Sequence, residues 1–291
     1  SQNVLDWSFS SNGLAYLNDE QARTLSNVEV HQGDILLNIT GDSVARACIV
    51  PSDVIPARVN QHVAILRPKE KANATFILAW LQTNKDLLLK LASSGATRNA
   101  LTKRMLEGLD INLPSIDIQN HIAALISLIQ SKISLSIKLN GYLLELATTR
   151  FEQALFKSNR VVRLGDIVKL EDSKRVPLNS RDRDARKGPY PYYGATSIMD
   201  YVDDYLFDGI RVLLGEDGSV IDESGRPILQ YVWGKYWVNN HAHILAAASD
   251  YSLEAIYIAL QRTPISHIVT GAVQRKISQR NLNKLKLEMP D

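Results

Sequence analysis

Val59-Asn60-Gln61-His62-Val63-Ala64-Ile65-Leu66 returns later in the chain as Val238-Asn239-Asn240-His241-Ala242-His243-Ile244-Leu245. Downstream of each copy, Ser94-Gly95-Ala96-Thr97-Arg98 is matched by Thr270-Gly271-Ala272-Val273-Gln274, a spacing of roughly 176 residues. The register then carries Leu101, Leu106, Leu109, Ile111 and Pro114 onto Ile277, Leu282, Leu285, Leu287 and Pro290. Upstream, Gly33-Asp34-Ile35-Leu36-Leu37 is aligned with Asp208-Gly209-Ile210-Arg211-Val212. Short apolar strings match by chance, but ordered blocks at a nearly constant offset mark a duplicated structural unit.

Each copy reads as a mixed α/β domain. A β-rich front carries short apolar runs, Ile35–Ile39 and Arg211–Leu214, broken by Gly, Asp and Pro. A helix is expected over Thr75–Leu91 in the first copy and Ser252–Gln261 in the second. A glycine turn with a basic segment follows, then a last apolar strand that stops at a proline. Between the copies, Asp117 to Lys157 contains no proline and only one glycine, Gly141. One apolar stripe runs Ile118, Ile122, Ile126, Ile129, Ile133, Ile137, Leu144, Ala147, Phe151 and Leu155. A second runs Leu125, Leu128, Leu135, Leu139, Leu143 and Leu146. Helical spacing over about 40 residues predicts a rod of roughly 60 Å. Two stripes predict two buried faces, one on a globular domain and one on a partner helix. Ile122, Leu125, Ile129, Ile133, Ile137, Leu144 and Phe151 are the candidate partner-helix residues. The predicted plan is a first domain over 1–116, a long coiled-coil-type helix over 117–158 and a second, similar domain over 159–291.

Composition narrows the function. With 45% hydrophobic and 22% charged residues, the chain is of the folded globular kind. Cys48 is the only cysteine, which excludes an internal disulfide and a thiolate zinc site. No uninterrupted apolar run approaches the ~20 residues that span a bilayer, and no signal peptide is recognised, so no membrane partner and a cytoplasmic location are expected. The net charge of +2 says little, but its distribution says more. Arg262, Arg275, Lys276, Arg280, Lys284 and Lys286 lie in a stretch without an anion. Lys174 to Lys187 holds six further cations against Asp182 and Asp184.

Two similar domains at the ends of a rod suit a target with two separated half-sites, as on DNA. Asn and Gln pair with adenine, Arg and Lys with guanine. The candidate DNA contacts are therefore Arg98 and Asn99 after the first glycine turn, and Gln274, Arg275 and Lys276 after the second. Lys174, Arg175 and Lys187 of the basic loop, Tyr192 and Tyr193 beside it, and Asn240 complete the set. The same residues also fit ordinary roles: exposed loop cations, aromatics that close a core, a strand-end cap. His241 and His243 alternate along an expected strand and lack a third ligand, so no metal site is expected. The acidic stretch Asp200–Asp208 fits no calcium-loop spacing. No phosphate loop and no dinucleotide fingerprint is present. Glu171-Asp172-Ser173-Lys174 with Asp166 only faintly resembles a nuclease carboxylate–lysine set, so no catalytic residue is expected.

Arg163-Leu164-Gly165-Asp166-Ile167, Gly188-Pro189-Tyr190-Pro191-Tyr192-Tyr193-Gly194-Ala195, Phe207-Asp208-Gly209 and Trp237–His243 together resemble the target-recognition domain of type I restriction-modification specificity subunits. Gly33–Gly41 and Val59–His62 are similar to a second variant of that domain. Leu113-Pro114 and Gln119 before a long helix resemble the family's spacer helix. The resemblance covers nearly the whole chain. It implies a non-catalytic subunit in which each domain reads one half of a split, asymmetric DNA site. It further implies adenine methyltransferase subunits and a motor-nuclease subunit as partners, with S-adenosylmethionine, ATP and Mg²⁺ held by those partners and no cofactor in this chain. The family alternates domain, helix, domain, helix. Here the first domain lacks a counterpart of Leu164-Gly165-Asp166, and no second helix follows Pro290-Asp291, which is read as a cut, shortened or rearranged form; the chain also opens on Ser1. The single rod then leaves an apolar stripe for another chain's helix. Two other readings stand beside this one: a free-standing dimeric DNA-binding or scaffold protein, and a site-specific nuclease using Asp172 and Lys174.

Overall fold

The computed structural model describes residues 1–93, 99–271 and 275–291. The chain divides into two compact units, Ser1–Leu139 and Asn140–Asp291. In the first unit α1 (Asp19–Thr24) precedes β1 (Glu29–Val30), β2 (Ile35–Asn38), β3 (Ala47–Ile49), β4 (Ala57–Arg58) and β5 (Val63–Leu66). Helices α2 (Ala74–Thr83), α3 (Lys85–Ser93), α4 (Lys103–Glu107) and α5 (Ile116–Lys157) follow. The second unit continues with β6 (Asn159–Arg163), α6 (Leu164–Ile167), β7 (Val168–Leu170), α7 (Ser180–Ala185), β8 (Lys187–Tyr193) and β9 (Ile198–Val202). Then come β10 (Phe207–Asp208), β11 (Arg211–Gly215), β12 (Leu229–Val232), β13 (Lys235–Val238) and β14 (Ala242–Ala247). The chain closes with α8 (Leu253–Arg262), β15 (Val269–Thr270), β16 (Lys276–Ile277), α9 (Gln279–Asn283) and β17 (Lys286–Pro290).

The duplication is visible in the pairing. In the first unit β2 lies between β3 and β5, all antiparallel, with Ile35 opposite Leu66 and Asn38 opposite Val63. In the second, β11 lies between β12 and β14, with Val212 opposite Leu245 and Gly215 opposite Ala242. Ile35 therefore corresponds to Val212, two residues from the alignment expected from sequence, which set Leu37 against Val212. A shift of two keeps every side chain on its face, because strand alternation has a period of two. Ile35 and Leu37 pack beneath α2 and α3 with Leu78, Leu81 and Leu88, while Leu36 joins Val30, Cys48 and Val63. Val212 and Leu214 likewise pack with Ile256 and Leu260 of α8, while Leu213 joins Phe207, Val232 and Ile244. Both central strands are covered on both faces, which is why they read as unbroken apolar runs.

Two expected elements differ. The single helix expected over Thr75–Leu91 is two helices, because Asn84 caps α2 with its N–H on the Trp80 carbonyl and α3 starts afresh at Lys85. Among the described residues the closing strand is found in the second unit alone, where β17 pairs along β6 from Lys286–Arg163 to Pro290–Asn159. Leu109–Pro114 has no such partner among the described residues and is irregular.

Helix α5 is 42 residues long. Its start is tied to the first unit by Gln119, which is fully buried. Its last turns are tied to the second unit by Phe151 and Leu155, packed with Leu287 and Met289, and by an Arg262–Glu152 ion pair. Between these ends most of its leucines and isoleucines are exposed, as at Leu128 (68%) and Ile137 (67%), while Ala123 is buried and Ile126 half-buried. By length and composition this helix is also apolar enough to cross a membrane, with a mean hydropathy of 1.5 over an 18-residue window that is 6% buried. The sequence reading expected no such segment because it required an uninterrupted apolar run, whereas Gln130, Lys132 and Lys138 interrupt this one without lowering the average enough.

Candidate nucleic-acid interface

The residues expected to touch DNA fall into two groups. Arg98 and Gln274 lie outside the described residues. Asn99, Asn240 and Arg275 are exposed, and each sits at the end of a strand pairing rather than in a core. Lys276 is half-exposed, with Nζ 3.3 Å from Glu216 Oε1. In the first unit the Gly41 N–H donates to the Asn99 carbonyl at 3.3 Å; in the second the Gly218 N–H donates to the Arg275 carbonyl at 3.0 Å. Thr40 bridges Ala100 as Asp217 bridges Lys276, so Asn99–Ala100 and Arg275–Lys276 stand at equivalent places.

Of the basic-loop candidates only Arg175 is committed inward, which corrects the expectation for that residue; Lys174 and Lys187 are ion-paired yet keep 53% and 54% of their side chains exposed. Arg175 is largely buried, its Nη1 2.6 Å from Glu216 Oε2 and 2.7 Å from the Ala242 carbonyl. Lys174 pairs with Glu171 at 2.6 Å. Arg183 and Lys187 both reach Asp200, and Arg186 reaches Asp203. The Asp200 carboxylate beside Lys187 holds its ammonium above the usual lysine range. Asp200 and Asp203 of the acidic stretch are thus the counter-charge of the loop.

Tyr192 does not face solvent: it is 1% exposed, accepts the Leu178 N–H at 2.9 Å and carries the Arg183 guanidinium over its ring. Tyr193 is half-buried and meets Tyr236 edge-on at 5.8 Å. Their strand β8 runs parallel to β13, with Tyr192 opposite Trp237, and that pairing turns the aromatics into a wall of the core. Of the partner-helix candidates, Phe151 is likewise a core residue, 7% exposed, whereas Ile122, Leu125, Ile129, Ile133, Ile137 and Leu144 are exposed.

The sequence reading missed a buried polar network. His243 is fully buried on β14, with Nδ1 2.6 Å from Asp172 Oδ2 and Nε2 2.8 Å from the Ile277 carbonyl. Asp172 Oδ1 accepts the Ile244 N–H at 2.8 Å, and Gln279 Nε2 donates to Oδ2 at 2.6 Å. Burial pushes the Asp172 carboxyl up, but the hydrogen bond and charge of His243, the Ile244 N–H and the charge of Arg175 outweigh it and hold the group below the usual carboxylate range. Asp172, Glu216 and His243 offer ligand atoms within 4.8 Å of one another, a spacing a metal could use. Arg175, Lys276 and Gln279 already engage these carboxylates, so the cluster reads as an ion-pair network that fixes β16 to the sheet. The nuclease reading loses its residues here, because Asp172 is buried under His243 and Lys174 is paired with Glu171. The signal in the sequence was the apolar run around His243, Ala242 before it and Ile244-Leu245-Ala246-Ala247 after it, which reads as a strand buried on both faces.

A cleft of about 260 Å³ opens beside the second basic segment, lined by Gly194–Ser197, Met199, Asp217 and His241. His241 is not on the strand but in the turn before β14, with Nδ1 2.6 Å from Asp217 Oδ1.

Residues 9–142 and 157–291 each match the family described as the type I restriction modification DNA specificity domain. The chain belongs to that family. It is 30% identical over 127 residues to a "Putative type I restriction enzyme specificity subunit" of Haemophilus influenzae, covering 44% of this chain and 32% of that protein. It is 22% identical over 128 residues to the type I restriction enzyme EcoprrI specificity subunit of Escherichia coli, covering 44% and 31%. The matched part thus spans about a third of the length of these curated relatives. The crystal structure of the type I restriction-modification system S subunit from M. genitalium superposes with a TM-score of 0.50 at 16% identity, over 90% of this chain and 73% of that one, and supports the fold.

Proposed function

We propose that this chain is the sequence-reading component of a type I restriction-modification complex, with each unit reading one half of a split, asymmetric DNA site. The observation that carries the reading is the duplication: one specificity domain per unit, at 9–142 and 157–291, with equivalent exposed segments at Asn99 and at Arg275–Lys276. In this reading the domains are 1–116 and 159–291 and the spacer is 117–158. Asn99, Asn240, Arg275 and Lys276, with the exposed Lys174 and Lys187, are the remaining DNA contacts, joined by Arg98 and Gln274. The chain performs no chemistry. Adenine methyltransferase subunits supply methylation with S-adenosylmethionine, and a motor-nuclease subunit supplies cleavage with ATP and Mg²⁺.

The exposed stripe of α5 takes a partner helix in this reading. Exposed leucines and isoleucines at helical spacing form an apolar face, and interspersed Ser, Gln and Lys keep the remainder polar. Co-expression with an adenine methyltransferase from the same locus, followed by mapping of modified adenines, tests the function. A motif of two short specified parts around a fixed gap is expected. Unmodified DNA, despite a stable complex of the subunits, would contradict it.

A further inference from the structure

Each unit holds a histidine at the same place and in the same way. In the second unit Asn239 Oδ1 accepts the His241 N–H at 2.8 Å, the His241 carbonyl accepts the Glu216 N–H at 2.8 Å, and Nδ1 lies 2.6 Å from Asp217 Oδ1. In the first, Asn60 Oδ1 accepts the His62 N–H at 3.1 Å, the His62 carbonyl accepts the Ile39 N–H at 2.9 Å, and Nδ1 lies 2.7 Å from Thr40 Oγ1. Thr40 and Asp217 are the residues that bridge Ala100 and Lys276, so the imidazoles stand beside the equivalent segments Asn99–Ala100 and Arg275–Lys276. Packing does not call for either ring. His62 is exposed, and the His241 side chain is 44% exposed at the mouth of the cleft. The turns do not call for them either, since the asparagine side chains and the backbone already close them. The residues around the rings differ between units (Gln61 and Asn240, Thr40 and Asp217), but the ring and its Nδ1 anchor are kept.

We propose that His62 and His241 are base-reading residues, one per unit, each presenting Nε2 to DNA with its proton position governed by the anchor. The proposal rests on the reading of the chain as a DNA-specificity component. A carboxylate only accepts, so Asp217 places the proton on Nδ1 and leaves Nε2 of the neutral ring as an acceptor. The exocyclic amino groups of adenine and cytosine are the matching donors in the major groove. The Thr40 hydroxyl donates or accepts, so the anchor alone leaves either tautomer open to His62, and the Gln61 amide, its Nε2 3.3 Å from the ring Nε2, is the group a base would displace there. Asp217 is a positioning residue and His241 the contact.

Selection of bound duplexes from a random pool by the full chain tests this, with His62→Ala, His241→Ala and Asp217→Asn alongside. The wild type is expected to enrich two short half-motifs. His241→Ala flattens one position of one half, losing roughly tenfold discrimination there, and His62→Ala does the same in the other half only. Asp217→Asn leaves binding but broadens that same position from adenine or cytosine to all bases, because an amide accepts either ring tautomer. His241→Gln serves if the alanine variant melts early. A motif unchanged in the variants, or weakened at every position equally, overturns the proposal and leaves the function reading intact. A wild-type pool with no enrichment overturns both.

Discussion

Gln119 Oε1 accepts the backbone N–H of Asn73 at 2.9 Å, joining the first turn of the long helix to the N-cap of α2. The same amide donates through Nε2 to the Lys71 carbonyl at 3.1 Å and the Pro114 carbonyl at 2.9 Å. One buried side chain thus satisfies three backbone groups at a point where chain direction changes twice. Gln119→Ala leaves those groups buried without it and is expected to destabilise the first unit by about 2–3 kcal/mol. Hydrogen exchange at Asn73 should accelerate while exchange on β11 and β14 is unchanged. Unchanged protection at Asn73 would show that the amide is not the tie.

The helix separates core from surface residues, and the two kinds of variant should behave differently. Phe151→Ala is expected to destabilise the second unit by about 3–5 kcal/mol, as for a large buried aromatic. Leu128→Glu and Ile137→Glu should leave unfolding midpoints in place but abolish association with the proposed partner helix, read by sedimentation velocity. Association that survives both glutamates would place the partner elsewhere.

Arg175 and Arg275 carry the same charge and should have opposite phenotypes. Arg175→Ala leaves Glu216 near His243 and Asp172 without its main cation, an expected loss of about 3 kcal/mol. Arg275→Ala should leave stability unchanged and reduce the salt dependence of DNA binding by about one unit of slope. Urea unfolding and binding titrations at several salt concentrations separate them. Equal stability of both variants would place Arg175 outside the network.

The depressed Asp172 carboxyl gives a pH dependence of defined sign. A carboxylate whose folded pKa lies below its unfolded value of ~3.9 contributes stability that is fully present above that value and lost as pH falls through the folded pKa. Asp172→Asn should therefore lower stability most near neutral pH, with the gap to wild type narrowing below about pH 4. Urea midpoints measured across that range check it. A gap constant down to the lowest accessible pH would mean that ionisation of Asp172 contributes nothing.

The duplication, the central strands and the long helix were legible because each rests on a local pattern: repeated strings, unbroken apolar runs and helical spacing over dozens of residues. The pairing Ile35–Leu66 against Val212–Leu245 was legible only to within two residues, since parity fixes faces but not register. The interface was less legible because charge carries no address. Lys187 and Arg183 look free in sequence, yet Asp200 on the neighbouring strand takes both. For Tyr192 the sequence allows both a stacking role and a core role, and the parallel pairing of β8 with β13, which sets it opposite Trp237, selects the core. The anchored histidines could have been found, because His62 and His241 fall within the first repeated string, each following Asn60 or Asn239 by two residues.

The most direct test of the account exchanges one unit. Residues 1–116 would be replaced by the corresponding domain of a relative with a different target, and modified adenines mapped after co-expression with the methyltransferase. The account predicts that one half of the motif changes while the other half stays as in the parent. A motif that changes in both halves, or in neither, would contradict the assignment of one half-site to each unit.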